Sequence, residues 1–206
     1  MKQDKKILID RINRAAKRYK KELVGKTFLL ITDKHSYEFT FKAKNFLHLC
    51  GVNTTIKSAS SFYRKATSKS GIKSGEISFN SMHPFDLAEL KTKYLEILPD
   101  VFKKELLVAT SIVTKTMKYK IGTTDLEIVI CFNNDQNSEG KVVDNILVPW
   151  SLRVEYINNS KFESLEEVLY IFSKSTSDEL YKEMIFGNAD LLHSIDTATR
   201  NKISLG

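Results

Sequence analysis

The chain is poor in cysteine, histidine and glycine and has a single tryptophan, and the gaps remove whole classes of function. Only Cys50 and Cys131 occur, with no CxxC pair. That excludes a disulfide framework and points to a reducing, cytoplasmic location. No run of about 18 apolar residues is present, so no membrane-spanning helix is expected. The opening stretch MKQDKKILIDRINRAAKRYKK is charged on every turn and lacks an apolar segment, so a secretory signal is not expected either. The 8 glycines are scattered. Neither GxGxxG nor GxxxxGKS/T occurs, and HExxH and GxSxG are also absent. His35, His48, His83 and His193 have no neighbouring ligand at metal spacing. No cofactor is expected, which leaves an enzyme that works without a metal or a binding protein.

What is present is an ordinary globular composition, 42% hydrophobic and 28% charged over 206 residues. A domain of that size buries roughly 70% of its unfolded surface. The net charge of +7 hides a polarity: residues 1–82 hold 18 Lys and Arg against 6 Asp and Glu, whereas residues 83–206 hold 14 against 19. Either the basic half binds a polyanion, with counterion release as the driving force, or the two halves pair across the fold.

Periodicity predicts a first helix over residues 4–24, with Ile7, Leu8, Ile12, Ala15, Ala16, Tyr19 and Leu23 on one stripe and Gly25 as the stop. Its polar faces carry Arg14, Lys17, Arg18 and Lys21, a solvated basic face by default and a nucleic-acid surface by hypothesis. Two strands follow at 27–33 and 37–42. NFLHLCGV (45–52) closes a short helix that begins near Ala43 and ends at Gly51. Another helix is expected over 59–69 with Ser58 as N-cap, then a return to strand at 76–79. A longer helix spans 83–106, with Pro84 at its start and Pro99 ending or kinking it. Strands are expected at 106–122, 125–132 and 145–157, with 133–141 as an exposed hairpin loop. Two acidic amphipathic helices, 163–174 and 177–188, and a loosely held polar tail complete the chain. No internal repeat occurs. The expected class is α+β, with helices first and an antiparallel sheet in the centre. Residues 1–158 form the core, and 159–206 pack on the same domain.

The chemistry available is basic and hydroxylic. Four residues apart on a helix, Lys44 and His48 face the same way and away from Phe46 and Cys50. SFYRKATSK (61–69) offers Tyr63, Arg64, Lys65 and Lys69. Such groups suit RNA cleavage by the 2′-hydroxyl, which needs a base, an acid and cations on the phosphorane. A lysine beside His48 disfavours its charged form and so favours a general base. The plainer alternatives stand beside these: a histidine in a last helical turn suits the carbonyl ends, and a Tyr-Arg-Lys run is commonly a solvated face. Lys115, Thr116, Lys118 and Lys120 fit the wet side of a strand around Tyr119. PWS (149–151) is an active-site corner bearing Ser151 or a strand interruption at a proline, and Trp150 stacks a base or packs in the core.

FTFKAKNFLHLCGV (39–52), SSFYRKA (60–66), LEILP (95–99) and VPWSLRVEYI (148–157) together resemble the phage-associated nuclease-like family named after barnase, EndoU, colicin and RelE. The likeness is to its branch common in Firmicutes phages and mobile elements, with an F-x-x-x-N-F-x-H-L-x-G block, then F-Y-x-K, then P-x-S-L. It covers roughly residues 20–185. The resemblance implies N-terminal helices on a curved antiparallel sheet, and an RNA-cleaving toxin or effector. Position by position it implies roles for His48, Tyr63, Lys65 and Ser151. Cys50 stands where a hydroxyl or small apolar residue is usual, and Trp150 where a small polar one is common. The leading expectation is therefore a metal-independent endoribonuclease. His48 would serve as base or acid, Lys65 with Arg64 on the phosphorane, and Tyr63 and Ser151 on the phosphate. Lys44, Lys69 and the first helix would hold RNA, with an immunity protein or host defence complex as a further partner. The rival is a non-catalytic binder of nucleic acid or of such a complex, in which charge matters and His48 does not.

Overall fold

A computed structural model of the chain describes residues 2–114, 117–125, 127–137, 139–154 and 161–205. Lys115, Thr116 and parts of the strand and loop segments expected from sequence (Leu126, Ser138 and residues 155–157) lie outside the described residues.

The helical half follows local signals closely. Helix α1 (Lys2–Glu22) buries Leu8, Ile12, Ala15, Ala16 and Tyr19 on one stripe, whereas Ile7, expected on it, is exposed. Gly25, at φ 82°, then turns the chain into β1 (Lys26–Thr32), which pairs antiparallel with β2 (Ser36–Thr40). A 3-10 turn (Ala43–Asn45) leads into α2 (Phe46–Cys50), which ends on Gly51 at φ 67°. A side chain at that glycine would be strained and would also displace Lys91. Its backbone is left-handed, and a Cβ there would stand 2.7 Å from Cδ of Lys91. A two-stranded ribbon of β3 (Asn53–Thr54) and β4 (Ile77–Ser78) encloses α3 (Ala59–Thr67). There Ser58 caps the helix by accepting from the Ser61 amide at 3.1 Å. Helix α4 (Phe85–Val101) starts after Pro84, and with Pro99 in its last turn it ends two residues later.

The remaining strands are β5 (Leu107–Val113), β6 (Lys118–Thr124), β7 (Val129–Gln136), β8 (Val142–Arg153), β9 (Leu165–Ser175) and β10 (Glu183–Phe186). The large sheet has eight strands in the order β1-β2-β8-β7-β6-β5-β9-β10, antiparallel except for β2 against β8. Because β9 also pairs with β1, the ladder returns to its start and the sheet is strongly curved. One face packs on α1 to α4 around a continuous core that includes Phe28, Phe39, Phe41, Phe102 and Phe132. The α+β expectation, with a helical N-terminus and a curved, mostly antiparallel sheet, holds.

Five segments depart from the sequence expectation. The stretch 106–122 is a hairpin, β5 and β6, not one strand. The stretch 133–141 is not wholly an exposed loop, because β7 runs to Gln136 and buries Asn134 and Asp135. The two acidic C-terminal helices do not form: LEEVLYIFSKS is β9, and the next segment contains only the short β10. Along β9, burial alternates from Leu165 to Tyr170, with Glu166, Val168 and Tyr170 inward. A buried Glu166 hides that period from a hydrophobicity count. Its carboxylate is satisfied by the Thr32 hydroxyl at 2.7 Å, His35 Nδ1 at 2.8 Å and the Tyr37 hydroxyl at 3.0 Å, all on or beside the β1–β2 turn. Nor is the tail loose. Ile195, Leu192, Ile203 and Leu205 pack over Leu29, Tyr170, Phe172 and Tyr181, and Tyr181 exchanges backbone hydrogen bonds with Lys202 and Ser204. A short helix, α5 (Thr197–Arg200), lies in that tail, capped by Asp196.

Candidate active site

A cleft of about 810 Å³ opens where α2, the start of α4 and the ends of β6, β7 and β8 meet. Three local rules aim side chains into it. On the α2 segment, Lys44 and His48 stand one turn apart and both reach the cleft, as their spacing demands. On α4, Leu87 and Lys91 stand one turn apart on one face, and His83, two residues before the helix begins, lines the same space, so a second histidine and a second lysine reach the cleft. On β8, Trp150 and Ser151 are consecutive yet both line it, which a regular strand forbids because neighbours point to opposite faces. The ladder explains this. Cys131 pairs with Ser151 but Phe132 pairs with Pro149, so Trp150 is the extra residue of a bulge at the proline.

His48 is open to the cleft, but the walls crowd its ring. That desolvation, with the charge of His83 added, holds its pKa below the ordinary 6.5. Nδ1 of His83 is buried with no hydrogen-bond partner among the described residues. On the β7 side, Asp135 receives Lys42 at 2.8 Å and Lys44 at 2.6 Å, while Lys44 also donates to the Gln136 carbonyl at 3.2 Å. Burial pushes the Asp135 carboxyl up, but the two lysines outweigh it and keep it below the usual carboxylate range. The pair therefore fixes the Lys44 ammonium at the rim. Among the described residues, no group of three or more His, Cys, Asp or Glu is placed to hold a metal ion.

Of the residues singled out from sequence, Lys44, His48 and Ser151 line this cleft, and Tyr63, Arg64, Lys65 and Lys69 do not. Tyr63 is in the core, its ring 5.5 Å from Phe46 and 5.8 Å from Tyr19, and burial pushes its hydroxyl up to about 12. Lys65 reaches Glu76 at 3.5 Å and shares a shallow groove with Arg64 on the outer side of α3. Lys69, Lys17 and Lys21 are exposed. Arg14 and Arg18 clamp α1 to α4. Arg14 bonds Glu96 at 2.6 Å, and Arg18 bonds Asp100 at 2.8 Å and Glu22 at 2.8 Å. The basic half pairs with the acidic half at this seam. His83, Lys91 and Asp135 were missed. Helical spacing from Leu87 was the legible signal for Lys91 alone, because His83 precedes Pro84 and the helix. Asp135 gave none, since it lay in a stretch assigned to a polar loop.

The cleft thus combines two imidazoles, two ammonium groups, the Asp135 carboxylate that holds one of them, and the hydroxyls of Ser151, Thr54 and Tyr119, a set suited to proton transfer at a phosphodiester. No curated protein and no solved structure matches the chain. A family model described as phage-Barnase-EndoU-ColicinE5/D-RelE like nuclease 4 matches residues 11–189, which takes in every element that builds the cleft. By that match, the chain belongs to this phage-related, nuclease-like family.

Proposed function

We propose that this protein is a metal-independent endoribonuclease that cleaves RNA by attack of a 2′-hydroxyl on the adjacent phosphate. The observation that carries the proposal is the meeting of His48 and His83 in one cleft with Lys44, Lys91 and Ser151. In the proposed step, neutral His48 accepts the 2′-hydroxyl proton as the 2′ oxygen bonds to phosphorus. The bond from phosphorus to the 5′ oxygen breaks, and His83 donates a proton to that leaving oxygen. The products are a 2′,3′-cyclic phosphate and a free 5′-hydroxyl. Lys44 and Lys91 face the charge that builds on the phosphorane, the role that sequence alone gave to Lys65, while the Ser151 hydroxyl orients a phosphate oxygen. The buried thiols of Cys50 and Cys131, neither of them in a disulfide, fit a protein working in reducing cytoplasm.

The test is incubation of the purified chain with total RNA in EDTA, followed by mapping of new ends. Fragments ending in 2′,3′-cyclic phosphate are expected. Intact RNA from a folded protein that still binds it would overturn the proposal in favour of a non-catalytic binder. The pH profile gives a second check. The base must be neutral to accept a proton, and its pKa lies below 6.5. The acidic limb of kcat/KM is therefore expected at a midpoint under that value; a midpoint above it would contradict His48 as the base.

A further inference from the structure

The proposed cleavage accounts for the polar groups of the cleft but leaves part of its lining unused. Trp150, Tyr119 and Met117 also line it. The Trp150 ring is half-buried and packs against a cluster of Ala109, Ile112, Tyr119, Val129 and Cys131, so part of its surface is held by the protein and part borders the cleft. Packing alone does not require this arrangement. A tryptophan in regular register beside Ser151 would point away from the cleft, and the bulge at Pro149 brings both into it. The cleft is also larger than one phosphate needs, at about 810 Å³.

The geometry points to a nucleobase subsite at Trp150. It rests on the reading of the cleft as an RNA site: the base flanking the scissile phosphate stacks on the indole while the phosphate lies between Lys44 and His48. Stacking of this kind tolerates every base, because each has a π-face, and it places the neighbouring ribose within reach of the imidazoles.

Trp150 is the only tryptophan among the 206 residues, so the full chain carries its own reporter. Its emission would be titrated in EDTA with a 2′-deoxy trinucleotide, which lacks the nucleophile and cannot be cleaved, and with an abasic deoxyribose-phosphate trimer of the same charge. Saturable quenching by the trinucleotide, and none by the abasic trimer at tenfold higher concentration, is the expected result. Equal responses to both, or none to either, overturn the subsite. Anisotropy of a labelled trinucleotide then separates Trp150→Phe, expected to bind within a few-fold of the original, from Trp150→Leu, expected to bind about 5- to 150-fold more weakly. Should the leucine variant not fold, the comparison of based and abasic ligands decides alone. The outcomes remain distinguishable from those of the cleavage test. Quenching without any RNA cleavage keeps the subsite and removes the nuclease activity, whereas cleavage with an unresponsive Trp150 removes only the subsite.

Discussion

Replacing His48 with alanine is expected to lower RNA cleavage about 10²- to 10⁴-fold while leaving the fold intact, the range found when a positioned acid or base is lost. The two halves of that expectation have separate causes. The loss of rate follows from geometry, since His48 lines the same cleft as His83, Lys44 and Ser151 and has its pKa held below 6.5. The preserved stability follows from exposure. The core positions of α2 are Phe46, Leu49 and Cys50, whereas the His48 ring opens to the cleft. Alanine is also a better helix former than histidine. The comparison requires single-turnover rates on one RNA and thermal melts of both proteins. A folded variant that cleaves at the original rate would remove His48 from the chemistry and leave the plainer account, a histidine favoured in the last turn of a helix.

Phe39→Ala is expected to be the most damaging core change, at about 3–5 kcal/mol. Its ring is fully buried and lies 5.2 Å from Phe28, 5.5 Å from Phe102 and 5.0 Å from Phe132, centroid to centroid. Truncation leaves a cavity that β1, β2, β7 and the end of α4 would all have to close. A domain typically has about 5–15 kcal/mol of stability in total, so the variant should retain only a fraction of it. For chains of this length the melting point should fall roughly 6–20 °C. The site should suffer as well, because Phe39 is also the residue of β2 that pairs with Leu147 on β8, the strand carrying Trp150 and Ser151. Urea unfolding followed by far-UV circular dichroism measures the change. A loss under about 1 kcal/mol would mean that the aromatic cluster repacks freely and does not hold the sheet to α4.

Much of the helical half was legible because its signals are local. The Ser58 cap, the left-handed Gly51 and the stripe from Leu8 to Tyr19 each act within a few residues. Lys44 and His48 were legible together for the same reason, since one turn of helix fixes their relation. Ser151 came from a motif, and the bulge that turns it beside Trp150 depends on β7 opposite. The expectation for Lys65 illustrates the limit. Nothing within SFYRKATSK distinguishes the side of α3 that faces Glu76 from one that faces a cleft.

By itself the sequence determined the α+β class, the helical N-terminus, the first hairpin and the lack of the common nucleotide and metal motifs. Only the tertiary structure decided that LEEVLYIFSKS is a central strand, that Arg14 and Arg18 hold α4, and that His83 and Lys91 join His48 in one cleft. The physical reason is common to all three. Periodicity records which side of an element is apolar, but whether a charged group is buried, paired or left facing a cleft depends on partners distant in the chain. Glu166 needed Thr32, His35 and Tyr37 before it could lie inward, and Arg18 needed Asp100 before it ceased to be a free cation.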